Sequence, residues 1–267
     1  MFVIKADGSK EEFQPNKIIK TCMRAGTTRS MAEEIANKIS KRVRNGWTTH
    51  KIYNLILSEL EKIDHKSSFL FTLRHAITNL GSFNFEIYAK KILESHGYRC
   101  EWNKLINGKC VEHQVDIIAK KDKLFLVECK HHINPHRFCG LGILLQVQAR
   151  LEDIKDGFAE NKNKYNFDFA WIFNNTKFSY HAKKYAEAKR IILTGWGYKK
   201  EYALENMAHS KKIYPVTILK AAPDIYKKLL DNEIITLQDL ITNKDIEKKI
   251  RSSDLSNIIK QAENILA

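Results

Sequence analysis

Between residues 82 and 210, stretches that read as helix and as strand follow one another in a fixed order, and that order constrains the chain more than any other feature. A helix runs from Asn84 through Leu93 and closes at His96-Gly97. Three strands follow at Tyr98–Lys104, Glu112–Ala119 and Leu124–Cys129, the last two joined by the polar turn Lys120-Lys121-Asp122-Lys123. A helix over Leu141–Asp156, a strand over Asp168–Phe173, a helix over Tyr180–Ala188 and a strand over Arg190–Thr194 complete the unit. Apolar runs of strand length interleaved with helical patterns predict an α/β fold with a mixed sheet flanked by helices.

The flanks read differently. Phe2-Val3-Ile4-Lys5-Ala6 and Lys10-Glu11-Glu12-Phe13 around Asp7-Gly8 predict a β-hairpin. Pro15 then opens a helix, Met31, Ile35, Ile39 and Val43 mark the buried face of a second, ended by Gly46, and Thr48 or Thr49 caps a third carrying Ile52, Leu55, Ile56 and Leu60. A fourth helix runs from about Phe69 to Leu80 and stops at Gly81. Beyond about Lys212 the pattern is helical throughout, with starts at Pro223 and Thr236 and a last helix from Leu255 to Leu266. Three regions result: 1–81, 82–210 and 211–267.

Lys and Arg number 45 against 31 Asp and Glu, a net charge of +14 that favours a polyanionic partner, nucleic acid first, although a merely solvated surface has the same sign. The apolar runs, such as Leu124–Val127 and Leu141–Leu145, are far too short to span a bilayer, and Lys5 and Asp7 interrupt the N-terminus before a signal-peptide core forms. No membrane partner is expected, and the expected location is the cytoplasm. The five cysteines, at 22, 100, 110, 129 and 139, contain no C-x-x-C pair, which disfavours a disulfide framework or a four-Cys zinc site.

The chemistry concentrates at Asp116 and at Glu128-Cys129-Lys130. Side chains alternate along a strand, so Glu128 and Lys130 share a face and Cys129 points away. Asp116, on the preceding strand, can approach the same spot. Two carboxylates that close repel unless a cation lies between them, and oxygen ligands alone suit Mg²⁺ or Mn²⁺. Such an ion activates water and stabilises charge on a phosphodiester, while a neighbouring Lys130 orients the water or offsets negative charge. A surface hairpin with Glu128 paired to Lys130 would use the same residues. Against it, the charges close an apolar strand, where they need a reason to be.

Phe85-Glu86 opening a helix, Gly97-Tyr98, Val115-Asp116-Ile117-Ile118-Ala119, Val127-Glu128-Cys129-Lys130 and Asn175-Thr176-Lys177-Phe178 with Ala182, Tyr185 and Ala186 resemble the Mrr-type branch of the PD-(D/E)xK restriction-endonuclease-like nucleases over residues 82–210. The resemblance implies divalent metal at Asp116 and Glu128, with Lys130 as the catalytic lysine. It also implies that Glu86 reaches the metal, although a first-turn glutamate suits a helix N-terminus on its own. Glu112, in phase with Asp116, reads as a further ligand or as strand-edge polarity. Gln146, Gln148, Arg150 and Asp153 on the next helix read as a solvated surface. His131, His132, His136 and Cys139 fit no closed zinc spacing and read as a basic loop near DNA, and Trp102, Trp171 and Trp196 read as core.

Val3-Ile4-Lys5, Asp7-Gly8, Glu11-Glu12-Phe13, Lys17-Ile18 and Thr49 before Ile52 resemble an ATP-cone, a nucleotide-binding regulatory module, over about residues 1–80. The match assigns Lys5, Glu11, Lys17 and Thr49 to contacts with ATP or dATP. The tail faintly resembles helix-hairpin-helix DNA modules, with Thr242-Asn243-Lys244 where those carry glycine, and reads first as a packing or dimerisation element, which admits a homodimer. The combined expectation is a Mg²⁺-dependent endodeoxyribonuclease regulated by nucleotide. A Holliday-junction-resolvase-like or nicking enzyme is one alternative, and a nucleotide-responsive DNA-binding regulator that does not cut is the other.

Overall fold

The structure is a computed structural model that describes all residues except Ala6, Asp7, Asp64, Lys244 and 247–253, and omits the side chains of Arg24, His65 and Lys66. Asp7 of the expected turn and Lys244 of the tail therefore lie outside the described residues. The chain divides into two compact units, 1–74 and 75–267.

In the first unit, β1 (Phe2–Ile4) and β2 (Lys10–Glu12) pair antiparallel, with Val3 opposite Glu11. Helix α1 (Pro15–Arg24) starts on its proline, whose missing N–H costs nothing at that position. Thr28 caps α2 (Arg29–Arg42) by accepting from the Met31 N–H. This helix stops at Arg42 rather than at Gly46, because Val43 turns out into extended backbone. Gly46 instead takes φ 80° and donates its N–H to the Phe2 carbonyl, tying the loop to the hairpin. Helix α3 (Thr49–Ile63) follows, and α4 (His65–Thr78) begins four residues earlier than its apolar pattern suggests. Val3, Ile18, Cys22, Ile35, Ile39 and Leu60 form the core of this unit.

The second unit is built on a five-stranded sheet. Helix α5 (Ser82–Ser95) precedes β3 (Arg99–Asn107), β4 (Glu112–Lys120) and β5 (Leu124–Lys130). After β6 (Phe138–Cys139) come α6 (Leu141–Ala159), β7 (Phe169–Asn174), β8 (Lys177–Phe178), α7 (Tyr180–Lys189) and β9 (Ile192–Thr194). The sheet order is β3-β4-β5-β7-β9, with β3, β4 and β5 antiparallel and β5, β7 and β9 parallel. This is the expected mixed α/β sheet. The last strand starts at Ile192 rather than Arg190, since Arg190 takes the left-handed conformation (φ 56°) that closes α7.

Ile118, Leu126, Ala170 and Ile172 bury one face of the sheet against Leu144, Val147, Leu151 and Ile154 of α6 and Ala182 and Ala186 of α7. The alternate residues Ile117, Ala119, Val127 and Trp171 are equally buried and lie outside that cluster, on the face where α5 packs. Full burial of side chains of this size contributes roughly 1.5–3 kcal/mol each, which makes the two-faced sheet the rigid base of the unit.

Helix α6 is locked to the β3–β4 turn by Asp153. Its carboxylate accepts from the Cys110 N–H at 2.9 Å and from the Val111 N–H at 3.3 Å, and stands 2.7 Å from His113 Nε2. Glycine is required on both sides of this contact: a Cβ on Gly108 would lie 2.0 Å from Asp153 Oδ2, and one on Gly157 would lie 2.6 Å from the Gly108 carbonyl carbon. Asp153 thus fixes the hairpin and is no part of a solvated surface.

The C-terminal part holds α8 (Leu204–Ser210), α9 (Pro223–Asp231), α10 (Leu237–Thr242) and α11 (Leu255–Leu266). Thr236 and Asp239 form a capping box at α10, and Asp239 also pairs with Lys91 of α5 at 2.7 Å. Tyr88 of α5 donates to the Ile213 carbonyl at 2.8 Å, so the tail packs on the sheet-covering helix of its own unit.

Candidate active site

Asp116 and Glu128 have the same parity as Ile118 and Leu126, and so project on the face covered by α6. Registered pairing of β4 with β5 runs from Lys120↔Leu124 to Ile117↔Val127 and ends there; one more step sets Asp116 opposite Glu128. On its other side, the β3–β4 register skips the position where Asn103 would face Asp116, because Asn103 is left-handed (φ 51°). Asn accepts that conformation more readily than other side-chain-bearing residues. The ladder is therefore open on both sides of Asp116, and a polar group there has room to engage something other than a strand neighbour. Asp116 Oδ2 accepts the Cys129 N–H at 2.7 Å, which pins the carboxylate between the strands.

Glu128 is nearly covered, its side chain 13% exposed, and accepts a hydrogen bond from Arg150 Nη1 of α6. Lys130 is exposed at the strand end and forms no ion pair among the described residues. Glu86, in the first turns of α5, is half-buried and feels both Asp116 and Glu128. Burial pushes its carboxyl up to about 7, with the two neighbouring carboxylates adding to the rise. The Trp102 indole N–H opposes this by more than Glu128 adds; it lies near Glu86 but falls short of hydrogen-bond geometry. Burial also raises Asp116, against the Cys129 N–H, Arg150 and Lys130. Glu128 is raised by burial and then by Asp116, with Arg150 and Lys130 pulling the other way.

The four residues expected to act together do come together at one end of the sheet. Among the described residues, however, no group of three His, Cys, Asp or Glu side chains converges closely enough to hold a metal ion. What the site offers is a set of hard oxygen donors, all raised by burial and two of them, Glu86 and Glu128, by neighbouring carboxylates as well, which is the chemistry that suits Mg²⁺ or Mn²⁺. Glu112 is exposed, four residues or about 13 Å along β4 from Asp116, and belongs to the strand edge.

The residues after Lys130 are anchored. His132 donates its N–H to Asn175 Oδ1 and its carbonyl accepts from Asn175 Nδ2, at 2.8 and 2.9 Å. Asn174, Asn175 and Thr176 are buried, and Asn174 bonds Thr176 through both its carbonyl and its hydroxyl. His131 stands 3.0 Å from the Thr78 carbonyl through Nε2. Burial lowers His131, against hydrogen bonds to the Thr78 and Ile77 backbone, and lowers His132 together with Arg137 and Lys130, which favours the neutral form of both. Cys139 is turned into the core and its thiol is pushed up to about 11 by burial. Trp171 and Trp196 are core, whereas Trp102 is half-buried beside Glu86, edge-on to the exposed ring of Phe83.

In the first unit, Lys5 Nζ lies 3.6 Å from Glu11 and Lys17 Nζ also pairs with Glu11, so three of the four expected nucleotide contacts form one cluster. Thr49 is not the cap of α3. Thr48 is, accepting the Lys51 N–H at 3.2 Å, and Thr49 is the first helical residue. Thr48 also bridges Ile4, whose N–H donates to the Trp47 carbonyl at 2.9 Å. The positive end of α3 thus adjoins the strand end that carries Lys5.

Arg150 is the residue that reading the sequence missed. It immediately precedes Leu151 and lies three after Val147, at the margin of the buried stripe of α6, where an arginine faces the sheet rather than water.

A five-stranded mixed sheet with two carboxylates and a lysine at the end of adjacent strands defines the restriction-endonuclease-like class. Comparisons agree: the ATP cone domain pattern matches residues 1–71, the Mrr-type restriction endonuclease pattern residues 77–195, and an AF1548-like C-terminal pattern residues 214–266. An uncharacterized protein of Archaeoglobus fulgidus is 34% identical over 178 residues, which cover 66% of this chain and 95% of that protein. A crystal structure described as protein of unknown function AF1548 aligns with TM-score 0.59 at 29% identity, covering 70% of this chain and 98% of that one. The transcriptional repressor NrdR of Clostridium botulinum is 35% identical over 75 residues, 25% of this chain and 50% of the repressor. The chain belongs to the family of Mrr-type restriction-endonuclease-like proteins, here with an N-terminal ATP-cone domain.

Proposed function

We propose that this protein is a divalent-metal-dependent endodeoxyribonuclease whose activity answers to ATP or dATP at the ATP cone. The observation that carries the reading is the joint placement of Asp116, Glu128 and Lys130: two partly buried carboxylates with raised proton affinity, set across from each other where the ladder opens, beside an exposed lysine. A structural ion pair would have Lys130 on Glu128; among the described residues Lys130 is exposed and forms no ion pair.

Asp116 and Glu128 are the residues to hold Mg²⁺ or Mn²⁺, with Glu86 next in reach. Bound there, the ion supplies Lewis-acid charge and an acidified water. The chain does the rest. The Cys129 N–H holds Asp116 in place, Lys130 orients the attacking water and offsets the negative charge that builds on the phosphate, and the clamped loop after Lys130 keeps that lysine at the strand end. In the ATP cone, Lys5 and Lys17 meet the phosphates, and Glu11 is the counter-ion that they give up to do so.

The test is incubation of supercoiled plasmid, linear duplex and a four-way junction with the full chain, with Mg²⁺ or EDTA, and with or without ATP and dATP. Metal-dependent nicking or linearisation supports the reading. Cleavage confined to the junction turns it to a resolvase, and binding without any cleavage turns it to a regulator.

A further inference from the structure

We propose that Arg150 is a positioning residue that holds Glu128 until a divalent cation takes it, and that its freed guanidinium then binds a phosphate of the DNA. The proposal rests on the reading of Asp116 and Glu128 as the metal pair.

The pairing is not a surface contact. The side chains of Arg150 and Glu128 are 23% and 13% exposed, so each has lost much of its hydration and needs the other. Arg150 meets the carboxylate that Asp116 faces, and it lowers the proton affinity of both. Without a cation at this spot the two carboxylates would repel; the guanidinium, always charged, occupies the place of that cation. Lys130 is exposed and makes no ion pair among the described residues, so the contact with Glu128 falls to Arg150.

The position of Arg150 is fixed from a distance. Asp153, three residues on along α6, is bonded to the β3–β4 turn, and Gly157 lets the helix approach that turn closely. The helix cannot drift from the hairpin that carries Asp116, so an Arg150 released from Glu128 stays at the site. A partly dehydrated guanidinium there seeks another oxyanion that offers two oxygens, and the two non-bridging oxygens of the tetrahedral phosphodiester in the substrate fit its fork. The neighbouring polar side chains of α6 are engaged or directed elsewhere: Gln148 donates to Glu152 and Gln146 is exposed. Metal binding and DNA binding are coupled through one side chain as a result.

The experiment measures two affinities on the full chain: Mn²⁺ without DNA, by electron paramagnetic resonance, and a fluorescent mixed-sequence duplex with Ca²⁺ or with EDTA. Wild type, Arg150→Gln, Arg150→Lys and Asp116→Asn are compared, with thermal melts of each. Removing a charge-assisted contact from Glu128 is expected to tighten Mn²⁺ binding about tenfold in Arg150→Gln and to cut the Ca²⁺-dependent gain in DNA affinity about tenfold. Arg150→Lys keeps the charge without the fork, so its Mn²⁺ affinity stays near wild type while its DNA gain falls. Unchanged or weaker Mn²⁺ binding in a folded Arg150→Gln overturns the proposal. If Arg150→Gln does not melt cooperatively, Arg150→Lys decides alone, and an unchanged DNA gain overturns it. Failure of the wild type to bind Mn²⁺, or Mn²⁺ binding untouched by Asp116→Asn, brings down the metal site itself and is distinguishable from failure of the Arg150 coupling.

Discussion

Glu86 sits among charges of its own sign, and the consequence is a pH dependence of stability with a definite direction. Burial and the proximity of Asp116 and Glu128 raise its carboxyl from 4.5 to about 7, so the folded chain holds a proton that the unfolded chain releases in that interval. A carboxyl with a raised folded pKa favours the folded state at low pH, and that contribution is lost as pH rises from about 4.5 through about 7. In EDTA, urea denaturation should show wild type losing stability between about pH 5 and about pH 7.5. Glu86→Gln should lose less, and at about pH 7.5 it should be the more stable protein by on the order of 1 kcal/mol, a figure reduced for solvent screening at a half-exposed group. Identical pH slopes for the two proteins would mean that Glu86 is not held in the field of the other carboxylates. At this scale Glu128 and Lys130 stand out as candidates because they close an apolar strand, with Asp116 on the strand beside it, whereas Arg150 does not. A helical arginine beside Gln146, Gln148 and Asp153 reads as solvated surface until the strand face opposite it is known.

The β1–β2 hairpin and α1 act together in the same way. Their apolar residues Val3 and Ile18 are buried in the core of the unit, and Glu11, opposite Val3, gathers Lys5 and Lys17 into one charged cluster. Replacing both Lys5 and Lys17 by alanine should weaken ATP or dATP binding to the full chain at least about tenfold, since each charge-assisted phosphate contact is commonly worth about 1.5–3 kcal/mol. Isothermal calorimetry checks this, and unchanged nucleotide affinity in the double variant would move the nucleotide away from this cluster. The hairpin and helices of this unit were legible because their apolar spacing is regular. The cap of α3 was left open between two adjacent threonines, either of which has the hydroxyl a cap requires; backbone placement, through the bridge of Thr48 to Ile4, decides it. The two-residue pair β6–β8 left no trace in the sequence because two residues carry no period. The lock of Asp153 onto the β3–β4 turn was hidden for a different reason: it joins residues more than forty positions apart, and only the close approach of Gly108 and Gly157 makes it fit.

For the whole molecule, the order of helices and strands over 82–210 was enough to obtain the mixed sheet, because buried parallel strands such as Phe169–Asn174 are apolar almost throughout. The tail was legible as helices but not as a partner of α5. The Lys91–Asp239 pair and the Tyr88–Ile213 hydrogen bond span 148 and 125 positions, and no local pattern announces them. Among the described residues no helix is long and apolar enough to cross a membrane. The net charge of +14 is in keeping with a polyanionic substrate. The proposed function requires that Asp116, Glu128 and Lys130 cut DNA rather than merely sit beside it. Its most direct test is single-turnover cleavage of a labelled duplex with Mg²⁺, measured beside binding of the same duplex, for wild type, Asp116→Ala and Lys130→Ala. Wild type should cleave, and each variant should do so at a rate at least about 100-fold lower, with duplex affinity retained within a few-fold. A Lys130→Ala protein that cleaves at the wild-type rate would contradict the proposed function.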